Sequence, residues 1–222
     1  MKVLLSKILA PLAFFIGLLP AYVSAKVLPV AVIIQEVPEW SFAASSAMIL
    51  QYLGYPNANA TGNYQCGIVG AQGGICSINC SACLDGGGTT QRVAGIMQMY
   101  VDFVHRAMGY MNPRVHLNLA GILSSQQIIS QIDQQGPILA GISPDHIPYP
   151  ANLGISQHAV VIVGYEGTPE NLNVVINDPY LYSPSRDPYV LSSAFKIQQG
   201  QYSIPHRIFV GIFNYRNSIT FR

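Results

Sequence analysis

The sequence predicts an α+β domain, with helices in its first part and a sheet built mostly from its last part. Apolar residues after Thr90 recur at three-four spacing, which is typical of an amphipathic helix. Ser124 and Gln127 form a capping-box pattern that opens a further helix over residues 126–134. Helices followed by strands, with no repeating β-α unit, favour the α+β class. Apolar or alternating runs predict the strands at 114–119, 138–142, 159–164, 173–176 and 207–213.

The first 25 residues have the pattern of a secretory signal peptide. Lys2 and Lys7 precede an apolar run over residues 8–23, and Ala25 ends a stretch of small residues that suits cleavage. The run is shorter than the roughly 20 residues that a membrane-spanning helix needs. We therefore expect residues 26–222 to form a single mature domain that is secreted or periplasmic and not bound to a membrane.

The composition argues against nucleic acid as a partner. Half of the 222 residues are hydrophobic, only 9% are charged, and the formal net charge is +1. Proteins that bind nucleic acid carry a basic surface for phosphate contacts, and the sparse cluster around Arg106 and Arg114 cannot supply one. The sequence also implies no metal and no organic cofactor.

Residues 55–88 form a loop-rich insert that contains all four cysteines, Cys66, Cys76, Cys80 and Cys83. In an exported chain an even number of clustered cysteines predicts two disulfides, and four cysteines allow three pairings that the sequence leaves open. Zinc binding is the alternative, but the spacing departs from that of a standard finger. We expect a disulfide-rich insert.

Residues 35–54 contain the first signal of chemistry. Ser41 suits a helix N-cap, and residues 43–53 are mostly strong helix formers followed by Gly54. The first backbone N–H groups of a helix lack partners within it and stabilise negative charge. The pattern therefore suits a nucleophile at Ser41, with Gln35 in the preceding loop as a candidate donor to an oxyanion.

A second signal lies in residues 157–179, which predict a β-hairpin. If its loop centres near Thr168, antiparallel partners have numbers that sum to about 336, which places His158 opposite Asp178. A catalytic histidine needs such a third group to fix its tautomer and to stabilise the imidazolium. Asn177 is the neighbouring candidate, and strand alternation allows only one of the two to face His158.

Gln35, Ala43 and Ser45 match a motif that resembles the papain-like cysteine peptidases, in which Gln and five residues precede Cys-Trp-Ala-x-Ser at a helix start. Ser41 stands where that family has its nucleophilic cysteine, and Phe42 stands where it has tryptophan. The resemblance implies a papain-like fold in which the helix with the nucleophile site packs on a C-terminal antiparallel sheet.

The histidine segment extends the resemblance. His158-Ala-Val with Val163-Gly-Tyr resembles the corresponding papain-like segment, and the Asn-Asp-Pro sequence that ends at Pro179 is similar to the bacteriocin-processing branch. That branch uses the Asp before Pro as the third member, which favours Asp178 over Asn177. The remaining histidines lack such surroundings and are predicted to occupy surface or loop positions: His105, His116, His146 and His206.

Three functional hypotheses follow, and the sequence leaves all three open. In the first, a peptidase attacks with Ser41, uses His158 as base and acid, orients it with Asp178 and binds the oxyanion with Gln35. Hydrolysis would be weak or lost, because a serine hydroxyl is a far weaker nucleophile than a thiolate. The second is a catalytically inactive pseudopeptidase that binds a peptide or protein partner. The third is an acyl or amide transferase on the same scaffold. The sequence decides neither the ligand nor the oligomeric state.

Overall fold

The computed structural model describes residues 24–83, 87–143, 157–192 and 194–222. Its helices are α1 (Ser41–Tyr52), α2 (Tyr64–Gly70), α3 (Ile75–Ile78), α4 (Thr90–Ala107), α5 (Ser125–Asp133), α6 (Pro188–Leu191) and α7 (His206–Gly211). Its strands are β1 (Ser24–Val27), β2 (Leu117–Ala120), β3 (Ile138–Ile142), β4 (His158–Thr168), β5 (Asn171–Asn177), β6 (Phe195–Gln198), β7 (Gln201–Pro205) and β8 (Asn217–Phe221). Two short 3-10 helices cover Cys80–Ala82 and Pro184–Arg186.

Over these ranges, eight strands form one sheet in the order β2-β8-β3-β4-β5-β7-β6, with β1 paired to β4. Every pairing is antiparallel. The long strand β4 is central, because β3 and then β1 pair along one of its edges while β5 pairs along the other. The α+β prediction is confirmed.

The helix α1 is buried at every position from 41 to 50 and packs on β4. A helix that is apolar on nearly all sides belongs in a core, and this one lies between the sheet and the other helices. The prediction that the helix carrying the nucleophile site packs on the sheet is confirmed. Trp40 occupies the N-cap position, so the prediction of Ser41 as N-cap is wrong by one residue. The Ser41 hydroxyl binds β4 and not the N–H groups of its own helix.

Two further helices follow their sequence patterns. Thr89 caps α4 through its side chain, and Ser124 and Gln127 form both bonds of the predicted capping box at the start of α5. The predicted apolar stripe of α4 is buried: Val93, Ile96, Met97, Tyr100, Val101 and Val104. Cap residues and three-four spacing act within one or two helical turns, so the sequence alone predicts these helices well.

The prediction of a strand over residues 207–213 is wrong, since residues 206–211 form α7. The alternation of Ile208, Val210 and Ile212 led to that prediction, yet these side chains are only partly buried. Phe209 in α7 and Phe213, which follows the end of the helix, are the fully buried residues, and their spacing of four fits a strand face as well as a helix face. The predicted strand at 114–119 is observed as β2, shifted towards residue 120.

Two disulfides hold the insert, as predicted, and they join Cys66 to Cys80 and Cys76 to Cys83. The insert is connected to the start of α1, because the indole Nε1 of Trp40 donates a 3.0 Å hydrogen bond to the carbonyl oxygen of Cys83. The disulfide between Cys76 and Cys83 is therefore one hydrogen bond away from Trp40, the residue that precedes Ser41.

The predicted signal peptide, residues 1–25, lies outside the described residues except for Ser24 and Ala25. These two residues belong to β1 and pair with Gly167 and Glu166 of β4. In the part of the chain that the structure describes, no helix combines the length and the apolar character needed to cross a bilayer.

Candidate active site

His158 and Asp178 form a buried pair, with 2.7 Å between Nε2 and Oδ1. His158 is 3% exposed and Asp178 is fully buried. The predicted register is nevertheless wrong. Thr168 pairs with Asn171, so the hairpin turns later in the chain than predicted. A bulge between Ile162 and Gly164 shifts the pairing by one residue, but Val161 still pairs with Asn177, and Asp178 does not lie directly opposite His158. Asp178 reaches the imidazole from the segment that follows the end of β5.

Asn177 points away from His158. Its Nδ2 donates to the carbonyl oxygen of Val30 at 2.9 Å, and its Oδ1 accepts a 2.8 Å hydrogen bond from Gln201. The structure thus places Asp178, and not Asn177, against the imidazole. Asn177 instead hydrogen-bonds the end of β5 to the N-terminal segment and to β7.

Four hydrogen bonds orient the Asp178 carboxylate. Oδ1 accepts from His158 and from the backbone N–H of Tyr180 at 2.8 Å. Oδ2 accepts from the hydroxyl of Tyr189 at 2.7 Å and from that of Tyr182 at 3.3 Å. The backbone is also fixed, since the Asp178 N–H donates to the carbonyl oxygen of Gly200 at 2.7 Å. A carboxylate bound in this way has one available orientation.

Tyr189, which the sequence analysis missed, is fixed by ring stacking and by a backbone hydrogen bond. Its ring stacks on Tyr202 and on Phe213, with centroid distances of 4.2 and 4.5 Å. Its N–H donates to Oδ1 of Asp187, the cap of α6, while Oδ2 of that carboxylate accepts from Tyr202 and from Lys196. Burial and then the Asp187 hydrogen bond raise the pKa of Tyr202, which therefore remains a neutral donor. Tyrosines recur after Asp178 in the sequence, but nothing in their spacing indicates which one binds it.

Ser41 contacts the backbone of the residue that follows His158. Its Oγ accepts a 3.2 Å hydrogen bond from the N–H of Ala159, the residue after His158. Ser45, one helical turn later, donates from its Oγ to the carbonyl oxygen of Ala159 at 2.9 Å. Ala159 lies beyond the last residue pair of β4 with β5, so the two serines bind peptide groups that β5 does not reach. The structure thus places the Ser41 hydroxyl against the residue that follows His158, whose imidazole is paired with Asp178.

Gln35 is placed differently from the prediction. Its Nε2 donates to the carbonyl oxygens of Val37 and Pro38, at 3.1 and 2.6 Å, and these two acceptors occupy both amide hydrogens. Its Oε1 is buried without a partner among the described residues. The Gln35 loop still adjoins the site, because its backbone N–H donates to the carbonyl oxygen of Pro179 at 2.9 Å.

The other histidines only partly follow their prediction. His105 is a half-buried helix residue in edge contact with the rings of Tyr55 and Tyr110, and His206 is a half-buried residue at the start of α7. Burial lowers the pKa of His206. His116 is exposed, and His146 lies outside the described residues. Across the described ranges, no group of three or more His, Cys, Asp or Glu side chains could hold a metal ion.

Comparison with known proteins identifies the family. Residues 27–203 match the Peptidase_C39 like family, a range that includes the whole site. A search of curated proteins finds no match. A crystal structure from Bacillus anthracis described as a C39-like peptidase is similar, with 12% identity and a TM-score of 0.48 over 88% of this chain and 96% of that one. Because the family match covers well over half of the sequence, the chain belongs to the Peptidase_C39 like family, within the papain-like peptidase superfamily.

Proposed function

We propose that this protein is an exported member of the family that binds an extended peptide over Ser41 and His158 and hydrolyses it slowly, with Ser41 as the nucleophile. The observation that carries the proposal is the meeting of the Ser41 hydroxyl with the segment of His158, whose imidazole is already paired with Asp178. Two disulfides and the signal-peptide pattern support export, because disulfides persist in oxidising compartments.

The mechanism uses the two imidazole nitrogens for different tasks. Nε2 is bonded to Asp178, so Nδ1 is the nitrogen that takes the proton when Ser41 Oγ attacks the scissile carbonyl carbon. Asp178 stabilises the resulting imidazolium. When the tetrahedral intermediate collapses, the C–N bond breaks and His158 returns the proton to the leaving amine. Water, activated by His158, then hydrolyses the ester on Ser41.

The oxyanion needs donors that the start of α1 supplies in part. Ser41 is the first residue of the helix, so its backbone N–H has no partner within the helix. Gln35 would have to release Val37 and Pro38 before its amide could help. Because each oxyanion donor is worth about 10²–10³-fold in rate, this requirement supports slow hydrolysis.

The alternative is a pseudopeptidase that binds a peptide or protein without cutting it. The commitment of the Gln35 amide to its own loop favours this alternative, as does the low exposure of Ser41, at 6%, and of His158. A hydroxyl is also a much weaker nucleophile than the thiolate that the family uses at this position.

The deciding experiment compares the oxidised native chain with Ser41→Cys and Ser41→Ala on a mixed peptide library, with the products identified by mass spectrometry. We expect the native chain to cleave above the Ser41→Ala background, and Ser41→Cys to cleave about 100-fold faster, because the site suits the larger sulfur. Ser46→Ala is the matched control, since Ser46 is a buried serine of the same helix whose hydroxyl has no hydrogen-bond partner among the described residues.

The outcomes separate the two candidate functions. Cleavage by the Ser41→Cys variant alone would show that the surrounding groups are competent and that the native residue is disarmed, which supports the pseudopeptidase. If none of the three chains cleaves while the Ser41→Ala variant retains library peptides on a column, the hydrolytic proposal is overturned in favour of binding.

A further inference from the structure

We propose that Tyr189 is a positioning residue of this site, whose hydroxyl holds Asp178 in the orientation and charge state that His158 requires. The inference rests on the proposed function, in which Asp178 orients the catalytic imidazole. It concerns a residue 11 positions along the chain from Asp178, in a different element, that makes the shorter of the two hydroxyl contacts to Oδ2.

The two oxygens of the Asp178 carboxylate bind different sets of donors. Oδ1 serves the imidazole and the backbone of Tyr180, so it is the oxygen with the catalytic task. Oδ2 is bound by Tyr189 at 2.7 Å and by Tyr182 at the longer distance of 3.3 Å. Because Asp178 is fully buried, bulk water does not solvate Oδ2, and the Tyr189 hydroxyl carries most of that task.

Tyr189 is held rigidly by its surroundings. The residue is fully buried, and its ring lies between Tyr202 and Phe213. Asp187 fixes its backbone as the cap of α6. Because packing already fixes this ring, its hydroxyl can hold the carboxylate at a defined angle with little further loss of side-chain entropy. A flexible donor would lose that entropy on forming the same hydrogen bond.

Neutral hydroxyl groups surround the charge of the Asp178 carboxylate. The groups that face the Asp178 carboxylate are His158 from β4, Tyr182 from the segment after β5, and Tyr189 from α6; Tyr202 of β7 lies behind them. Lys196, which belongs to the same hydrogen-bond network, binds Asp187 and not Asp178. Apart from the imidazole, the described side chains that stabilise the Asp178 charge are therefore tyrosine hydroxyls.

The test replaces Tyr189 by Phe, which keeps the stacked ring and removes only the hydroxyl. The readout is the pH titration of the His158 imidazole signals in ¹⁵N-histidine-labelled protein, assigned by their absence in His158→Gln. We expect the lower titration step of the His158–Asp178 pair to move to higher pH, because a buried carboxylate that loses a strong donor binds a proton more readily.

Tyr215→Phe is the matched control. Tyr215 is also a fully buried tyrosine, but its hydroxyl binds Ser218 and the N–H of Leu123 and does not contact Asp178. A titration step that is unchanged or lowered in Tyr189→Phe, or that moves equally in Tyr215→Phe, would overturn the proposal. If Tyr189→Phe does not fold, Tyr182→Phe removes the other Oδ2 donor and must shift the step in the same direction.

This readout does not depend on hydrolysis. If the native chain cleaves no peptide and the titration still moves, the positioning role stands while the hydrolytic function fails. If cleavage occurs and the titration does not move, only the positioning role fails. In whichever chain cleaves, native or Ser41→Cys, we expect Tyr189→Phe to lower kcat about tenfold with KM unchanged, because Tyr189 does not touch the peptide.

Discussion

Two serines of α1 bind both peptide groups of a single residue of β4. Ala159 donates its N–H to Ser41 and accepts a hydrogen bond on its carbonyl oxygen from Ser45. Positions four apart lie on one face of a helix, so the spacing suits a two-point attachment. The Ser41 hydroxyl therefore has a structural partner in addition to any chemical role, which is why its presence alone does not establish catalysis.

Ser45 and Ser46 allow this attachment to be measured. Ser45→Ala leaves the buried carbonyl of Ala159 without its side-chain donor, so we expect the free energy of unfolding to fall by about 1–3 kcal/mol. Ser46→Ala removes a buried hydroxyl that forms no hydrogen bond within the described part of the chain, so it is expected to be neutral or slightly stabilising. Urea denaturation of both variants checks this, and equal losses in the two would contradict it.

At the scale of elements, β4 determines where the site forms. It contacts α1, pairs with β3 and β1 along one edge, and begins at His158. The bulge between Ile162 and Gly164 sets the register with β5, and hence the position of Asp178. Gly164 also permits the close approach of β1, since a Cβ there would lie 2.5 Å from the carbonyl oxygen of Lys26.

Two glycine-to-alanine variants are expected to act in opposite directions. In Gly164→Ala the new methyl group would press on Lys26 and Val27 and separate β1 from β4, which should cost about 1–3 kcal/mol. Gly95 lies within α4 with no atom near its would-be Cβ, so Gly95→Ala should stabilise the protein by about 0.5–1 kcal/mol. Thermal unfolding measures both changes. A neutral Gly164→Ala would show that β1 contributes nothing to stability.

At the scale of the whole molecule, the disulfide insert contacts the residue before Ser41. Cys83 accepts the Trp40 indole N–H, and Trp40 caps the buried helix that packs on β4. The insert is thus attached to the core at a point adjacent to the site. Its two crosslinks close short loops, with sequence separations of 14 and 7 residues.

Replacing each disulfide in turn by two serines separates stability from this attachment. We expect each pair of substitutions to cost about 2–3 kcal/mol, because the crosslinks restrict the unfolded chain. Trp40 is the single tryptophan, so its fluorescence reports the attachment directly. Removing Cys76–Cys83 should shift the emission of the folded protein more than removing Cys66–Cys80. Identical emission in both variants and in the native chain would contradict the attachment.

Much of this fold was accessible from the sequence, although the strands of its last part were less so. The signals for α4 and α5 were cap residues and apolar spacing, which act locally. The helix α7 was mistaken for a strand because Ile208, Val210 and Ile212 alternate, and the fully buried Phe209 and Phe213, four positions apart, fit a strand face as well as a helix face. Which apolar residues enter the core depends on the elements packed against them, and a short segment does not contain that information.

The sequence by itself determined the α+β class, a helix that opens near Ser41, the disulfide-bonded insert and the resemblance that singled out His158 and Asp178. Only the tertiary structure decided the disulfide pairing, the bulge that shifts the register of β4, the internal bonds of the Gln35 amide and the contact of Tyr189 with Asp178. The physical reason is range: caps and periodicities involve residues within a few positions, whereas these contacts join groups whose approach depends on how the whole chain packs.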